Sequence, residues 1–226
     1  SPNQATAFNA GAVTLAGGAI LVTTSGDLSS QDLANVTLTL NGATTLVDHN
    51  DDLPLSIDAD SNAITVGDDL NVTGVTLTQL GTVSIDSTKT LTALASQVTG
   101  QTVSGAGSLS VTTATAATEY DFAAITVSGT KTINYDVGGT VHSNFSTYVD
   151  GFSITVAGGQ TLTLTEAQIV ANIANVQTAG SIVVDSGAVT STSHAKVLAN
   201  ITTFDANSVT AITFNDEAAV QAAATA

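Results

Sequence analysis

Short segments that alternate a branched apolar residue with a hydroxyl recur along this 226-residue chain. Val36-Thr37-Leu38-Thr39-Leu40 alternates cleanly, and so does the run from Val72 to Leu77 around Gly74. Val83-Ser84-Ile85, Leu109-Ser110-Val111, Ile154-Thr155-Val156 and Leu162-Thr163-Leu164 repeat the pattern. A period of two places alternate side chains on opposite faces of a strand. Thr suits the outer face, because its β-branched side chain favours the pleat. A chain with 39 Thr in this arrangement is committed to repetitive β-structure. Its apolar set is mainly Ala and Val, with aromatics at 4%, so the interior it can fill is narrow.

The segments repeat in longer blocks. Lys89-Thr90-Leu91-Thr92 with Gln97-Val98 matches Gln160-Thr161-Leu162-Thr163 with Gln168-Ile169 at one constant offset. Val83-Ser84-Ile85 matches Ile154-Thr155-Val156 at that same offset. Gly107 to Val111 matches Gly180 to Val184 with a slip of two. Strands are expected to start near residues 83, 109, 131, 154, 182 and 209. Each of these intervals is about one coil of a parallel β-solenoid, whereas a sandwich of hairpins gives turn signals every ~8–12 residues.

Helical patches sit between some strands of the C-terminal third. Thr165-Glu166-Ala167-Gln168 reads as a capping box leading to Ile169, Ile173 and Val176. Ser193 is placed to cap a second helix, with Val197, Leu198, Ile201 and Phe204 on one face, and Asp216-Glu217 starts a third. The expected fold is mostly β, parallel and solenoid-like, with short helices in the C-terminal third. Tandem Ig-like β-sandwiches are the alternative, and antiparallel pairing would mark them. A strand-rich part at 1–80 precedes a repeat part at 81–226, or the two form one continuous domain.

Charge narrows the partners. Nineteen acidic groups face three Lys and no Arg, a formal net charge of -16. Phosphate contacts need Lys and Arg, so nucleic acid and anionic membrane surfaces are excluded as partners. With no Cys there is no disulfide or thiolate site. The chain begins Ser1-Pro2 and reads as a mature or excised segment. The longest weakly polar stretch, Gly11 to Val22, is too short for a span of ~20 residues.

Seven of the acidic groups crowd between positions 48 and 69: Asp48, Asp51, Asp52, Asp58, Asp60, Asp68 and Asp69. Like charges this dense repel unless neutralised. Asp58, Asp60 and Asn62 have the D-x-D-x-N spacing of a calcium loop, with Asp69 at its twelfth position, and Asp51 and Asp52 lie close upstream. Ala63 stands where such a loop wants Gly, and Asp69 reaches less far than Glu. Ca2+ is the expected ion; the plainer reading is a solvated acidic loop that keeps chains apart. His49 lies in the same stretch, and His194 at an expected helix start. His142 lies near Ser143, Ser146 and Asp150, but no G-x-S-x-G elbow occurs. Tyr120, Phe122 and Tyr135 read as core or turn residues. Sequons stand at Asn35, Asn71, Asn144 and Asn200.

The stretches Thr161–Gln168, Ser193–Ile201 and Ser208–Asp216 resemble the degenerate repeats of giant bacterial cell-surface proteins of the S-layer and adhesin types. The resemblance covers about residues 82–216. It implies an extracellular, repetitive, non-enzymatic scaffold on the bacterial surface, often calcium-dependent, whose partners are copies of itself. The Ala-rich segments 1–12 and 217–226 suit caps or docking arms. An adhesin module that binds a cell-surface glycan or protein, and a polysaccharide-active β-helix enzyme, stay open as alternatives.

Overall fold

The computed structural model describes residues 56–172, 175–176 and 180–185, and the strand segments 12–15, 18–22, 37–40, 44–48 and 212–214. Among the described residues it is mostly strand, the sheets are all parallel, and none closes into a barrel. Tandem Ig-like sandwiches need antiparallel neighbours, so the parallel pairing corrects that alternative. The chain divides into two compact units, residues 1–111 with 124–131, and residues 112–123 with 132–226.

In the first unit the strands form three ladders. The first runs β1 (Ala12–Leu15), β3 (Thr37–Leu40), β5 (Ser56–Asp58) and β8 (Thr76–Thr78). The second runs β2 (Gly18–Val22), β4 (Thr44–Asp48), β6 (Ile64–Val66), β9 (Val83–Ile85) and β11 (Val103–Gly105). The third holds β7 (Leu70–Asn71), β10 (Thr90–Leu94) and the start of β12 (Ser108–Thr115). The chain visits the ladders in turn: β5, β6, β7, then β8, β9, β10. Helix α1 (Ala95–Val98) follows β10.

Register keeps like residues in line. Leu46, Val66 and Ile85 pair in sequence along the second ladder, and all three are buried. Thr45, Thr65, Ser84 and Ser104 pair alongside them, and of these Thr65, Ser84 and Ser104 are half-buried on the other face. The alternation seen in the sequence is thus the division between core and surface. Each fully buried Ile or Leu contributes roughly 1.5–3 kcal/mol. The rank ends at Gly105, whose φ is +110° and whose Cβ would stand 2.2 Å from the Ile85 carbonyl oxygen. Only glycine permits so close a backbone approach there.

The second unit pairs β13 (Lys131–Val137) with β15 (Ser153–Val156). A separate ladder runs β14 (Gly139–Thr140), β16 (Thr161–Thr165), β17 (Ser181–Asp185) and β18 (Ile212–Phe214). Helices α2 (Phe145–Tyr148) and α3 (Glu166–Asn172) flank these strands. Aromatic rings fill this core: Tyr135, Phe145 and Phe152 are among its largest fully buried side chains. Tyr120 stacks on Phe122 at 5.8 Å between centroids, and Phe122 meets Phe152 at 5.4 Å. Tyr120, Phe122 and Tyr135 are therefore core residues, as expected. Burial pushes the Tyr135 phenol well above the ordinary tyrosine range.

Several expectations change. Strands 83–85 and 109–111 lie on different ladders, because the neighbours of Val83 are Val103 on one side and Ile64 on the other. The expected interval from 83 to 109 thus crosses from one ladder to another, whereas the strands at 131 and 154 do pair with each other. The run from Val72 to Leu77 is no single strand, because the Val75 N–H donates to the Val72 carbonyl and turns the chain between β7 and β8. Helices also occur before the C-terminal third, at α1 and α2. Val176 is not helical; it bridges Ile154 in parallel. The helices expected after Ser193 and after Asp216 lie outside the described residues. Among the described residues no helix is long and apolar enough to cross a membrane.

Candidate functional site

The acidic stretch is the first place where chemistry was expected. Ala59 to Asn62 form a tight turn closed by the Asn62 N–H donating to the Ala59 carbonyl at 2.7 Å. Its central residues, Asp60 and Ser61, have φ of +45° and +62°. Asp and Ser tolerate this left-handed pair in a two-residue connection better than bulky residues do. The Asp58 carboxylate accepts the Asp60 N–H at 3.1 Å and the Gln79 amide at 3.1 Å and 3.2 Å. The Asn62 amide nitrogen donates to the Ala59 carbonyl at 2.9 Å. Asp60 is exposed.

Strand β6 separates this turn from Asp68 and Asp69. The Asp69 carboxylate accepts the Thr90 N–H at 2.7 Å, which ties it to the start of β10. Asp68 accepts the Asp69 N–H at 2.9 Å and pairs with Lys89 at 2.8 Å. That hydrogen bond to Asp68 is the chief cause that raises Lys89 above its ordinary value. The structure therefore puts Asp58 at the end of β5, Asp60 and Asn62 on the turn that follows it, and Asp69 beyond β6, just before β7. Among the described residues, no three His, Asp or Glu side chains come together as a metal group. Asp51, Asp52 and His49 lie outside the described residues, as does the side chain of Asp48.

A second set of polar contacts holds successive elements together. The Leu94 N–H donates to Gln97 Oε1 at 2.7 Å, and Gln97 Nε2 donates to the carbonyls of Val72 and Val75, both at 2.7 Å. Gln168 repeats this in the second unit. The Thr165 N–H donates to its Oε1 at 2.9 Å, and its Nε2 donates to the His142 carbonyl at 2.8 Å. The Gln168 N–H completes the box with Thr165 Oγ1 at 3.3 Å. Leu94 has no side-chain oxygen, so α1 carries only half of that box. Gln160 also reaches back, but as an acceptor: its Oε1 takes the Gly138 N–H at 3.0 Å. The repeat of Gln97 and Gln168 was visible in the sequence; their reach back to an earlier segment was not. Gln79 was missed altogether, since nothing nearby in sequence marks it as a partner of Asp58.

The His142 ring lies 6.2 Å from Phe145 and 5.7 Å from Tyr148. Its Nδ1 is sealed from solvent and, among the described residues, has no hydrogen-bond partner. Burial lowers its pKa, and Glu119 opposes that shift. Ser146 Oγ accepts the Asn172 side-chain amide at 3.0 Å, which ties it to α3. His194 lies outside the described residues. Of the sequons, Asn71 accepts the Thr73 hydroxyl at 2.8 Å, and Asn144 donates to Glu119 at 2.8 Å. Both are exposed.

In comparison with known proteins, no family model, no curated sequence and no solved structure matches the chain.

Proposed function

We propose that this chain is a structural segment of an extracellular bacterial surface protein. It is a parallel β-solenoid that assembles with copies of itself into a layer or fibre, stabilised by Ca2+. The observation that carries the reading is the order in which β5 to β10 visit three parallel ladders. Each strand of the second circuit lies in register on its counterpart in the first: Leu77 on Ile57, Val83 on Ile64, Leu91 on Leu70. One coil of a solenoid needs such a circuit. Side-chain amides of Gln97, Gln160 and Gln168 add cross-links between segments about one circuit apart. Among the described residues, Thr65, Ser84 and Ser104 line an outer face, while Tyr120, Phe122, Tyr135, Phe145 and Phe152 are taken up by the core.

Self-assembly must overcome a formal charge of -16 per copy. Divalent cations relieve such repulsion directly, while monovalent salt only screens it. Asp51, Asp52, Asp58, Asp60, Asn62 and Asp69 are the proposed ligands, each within or beside the densest acidic stretch. Binding there exchanges the Gln79 contact of Asp58 for the ion.

Negative-stain electron microscopy of the purified chain tests this, first with calcium and then with excess chelator. Ordered sheets or filaments that dissolve on chelation are expected. Monodisperse particles in both conditions would remove self-assembly and put a binding module first.

A further inference from the structure

The first ladder ends at β8, and the residues that follow the next β10 form α1 instead of a fifth strand. In a parallel ladder, the N–H and C=O of one residue point to the same side, and successive residues alternate sides. The Thr78 carbonyl accepts the Ala59 N–H at 3.0 Å, so Thr78 faces β5. Leu77 therefore turns its N–H and C=O the other way, and among the described residues neither has a partner. One position earlier on that side, the Val75 carbonyl is already satisfied by Gln97 Nε2 at 2.7 Å. A side-chain amide thus stands there in place of a strand.

Beside this open pair lies a cleft of about 390 Å³. Thr76, Gln79, Ser96 and Gln101 line it with hydroxyls and amides, and Leu80 and Leu94 add apolar walls. Leu77, Leu80 and Gln101 also border a small apolar void of about 30 Å³ in the core below. Among the described residues no ionisable or aromatic side chain lines the cleft, although the chain carries a formal charge of -16.

We infer that this cleft binds a short, uncharged, extended peptide strand, which adds a fifth rung to the first ladder. The open Leu77 pair offers one donor and one acceptor at the spacing that a peptide backbone supplies. The uncharged walls give a charged side chain no counter-ion. Glycan sites commonly offer an aromatic platform, and this one does not. Register specifies the sequence of the occupant. Leu38, Ile57 and Leu77 align, flanked by Thr37, Ser56 and Thr76 on one side and Thr39, Asp58 and Thr78 on the other. A strand reading Thr-Leu-Thr continues that rank and seats its Leu against Leu77 and Leu80. The inference does not depend on self-assembly of the chain.

The probe is the capped pentapeptide acetyl-Thr-Leu-Thr-Leu-Thr-amide, added to the full chain. The readout is residue-resolved amide exchange and chemical shift by NMR. At saturating peptide, exchange of the Leu77 N–H is expected to slow by about tenfold or more. Shifts are expected at Thr76–Gln79 and Ser96–Gln101, and none with a peptide in which Asp replaces Thr. Leu77→Pro removes the open donor and should abolish the shifts at Ser96–Gln101. Ser96→Glu places a charge on the exposed wall of the cleft and should abolish binding with little change in the thermal midpoint, which covers the case that the proline variant does not fold. Unchanged Leu77 exchange with the peptide overturns the proposal. So does a neutral oligosaccharide that shifts these amides when the peptide does not. Leu77 protection that grows with protein concentration alone overturns it in favour of a second copy.

Discussion

Gln97 and Gln168, though far apart in the chain and in different compact units, hold the same structural position. Each accepts an N–H from three residues earlier at the mouth of a short helix. Each then donates to carbonyls of an earlier segment, Val72 and Val75 for Gln97 and His142 for Gln168. One amide thereby fixes the start of a helix and ties it to the preceding segment.

Removing that amide leaves a donor and at least one carbonyl unpaired at part-buried sites. Gln97→Leu and Gln168→Leu should each destabilise the protein by about 2–4 kcal/mol. Urea unfolding measures both. Gln168 is only 7% exposed, so its variant should fall at the costly end.

Two glycines make a controlled pair. Gly105→Ala should cost about 3 kcal/mol or more, because it combines a positive φ with a Cβ driven into the Ile85 carbonyl. Gly158→Ala meets nothing within 4 Å and has an ordinary φ, so it should be neutral or stabilising by up to about 1 kcal/mol. Thermal melts of the two variants decide it.

His142 predicts an acid limb. Burial lowers its folded pKa below the ordinary 6.5, so the unfolded chain takes up its proton first. The contribution is fully present above about pH 6.5 and is lost as pH falls toward the folded value. In His142→Phe the slope of stability between neutral and mildly acidic pH should be shallower than in the native chain. Equal slopes in chemical denaturation across that range would refute the role.

Phe145 is fully buried and contacts the rings of Tyr135 and His142. Phe145→Ala should cost about 3–5 kcal/mol by transfer and cavity terms. It should also expose Tyr135, whose phenol titration, followed by ultraviolet absorbance, should return toward 10.

Strand identity was legible because period-two alternation is a local property. β9, β15 and β16 sit where Val83, Ile154 and Leu162 put them. The capping box at Thr165 and Gln168 was legible for the same reason. Which strands neighbour each other was not, because Val, Ile and Thr serve equally well in any of the ladders. Hence residues 83 and 109 looked like consecutive rungs when Val103 is the true neighbour of Val83. In the acidic stretch, spacing suggested a single loop through Asp58, Asp60, Asn62 and Asp69. Ile64-Thr65-Val66 between them forms a strand instead, and no carboxylate count could reveal that. Gln79 escaped notice because its partner Asp58 lies a full circuit earlier.

The registers of the ladders carry a consequence for how the molecule is made. Every strand register described above joins residues that lie near each other in the chain, from Ile64 with Val83 at the short end to Ile182 with Ile212 at the long. During synthesis, a strand leaving the ribosome finds its neighbour already waiting, and no such pairing is postponed until the far end arrives. Short separations of this kind favour fast closure over slow long-range search. Growth can thus proceed in the order of translation, each new rung laid on the one before.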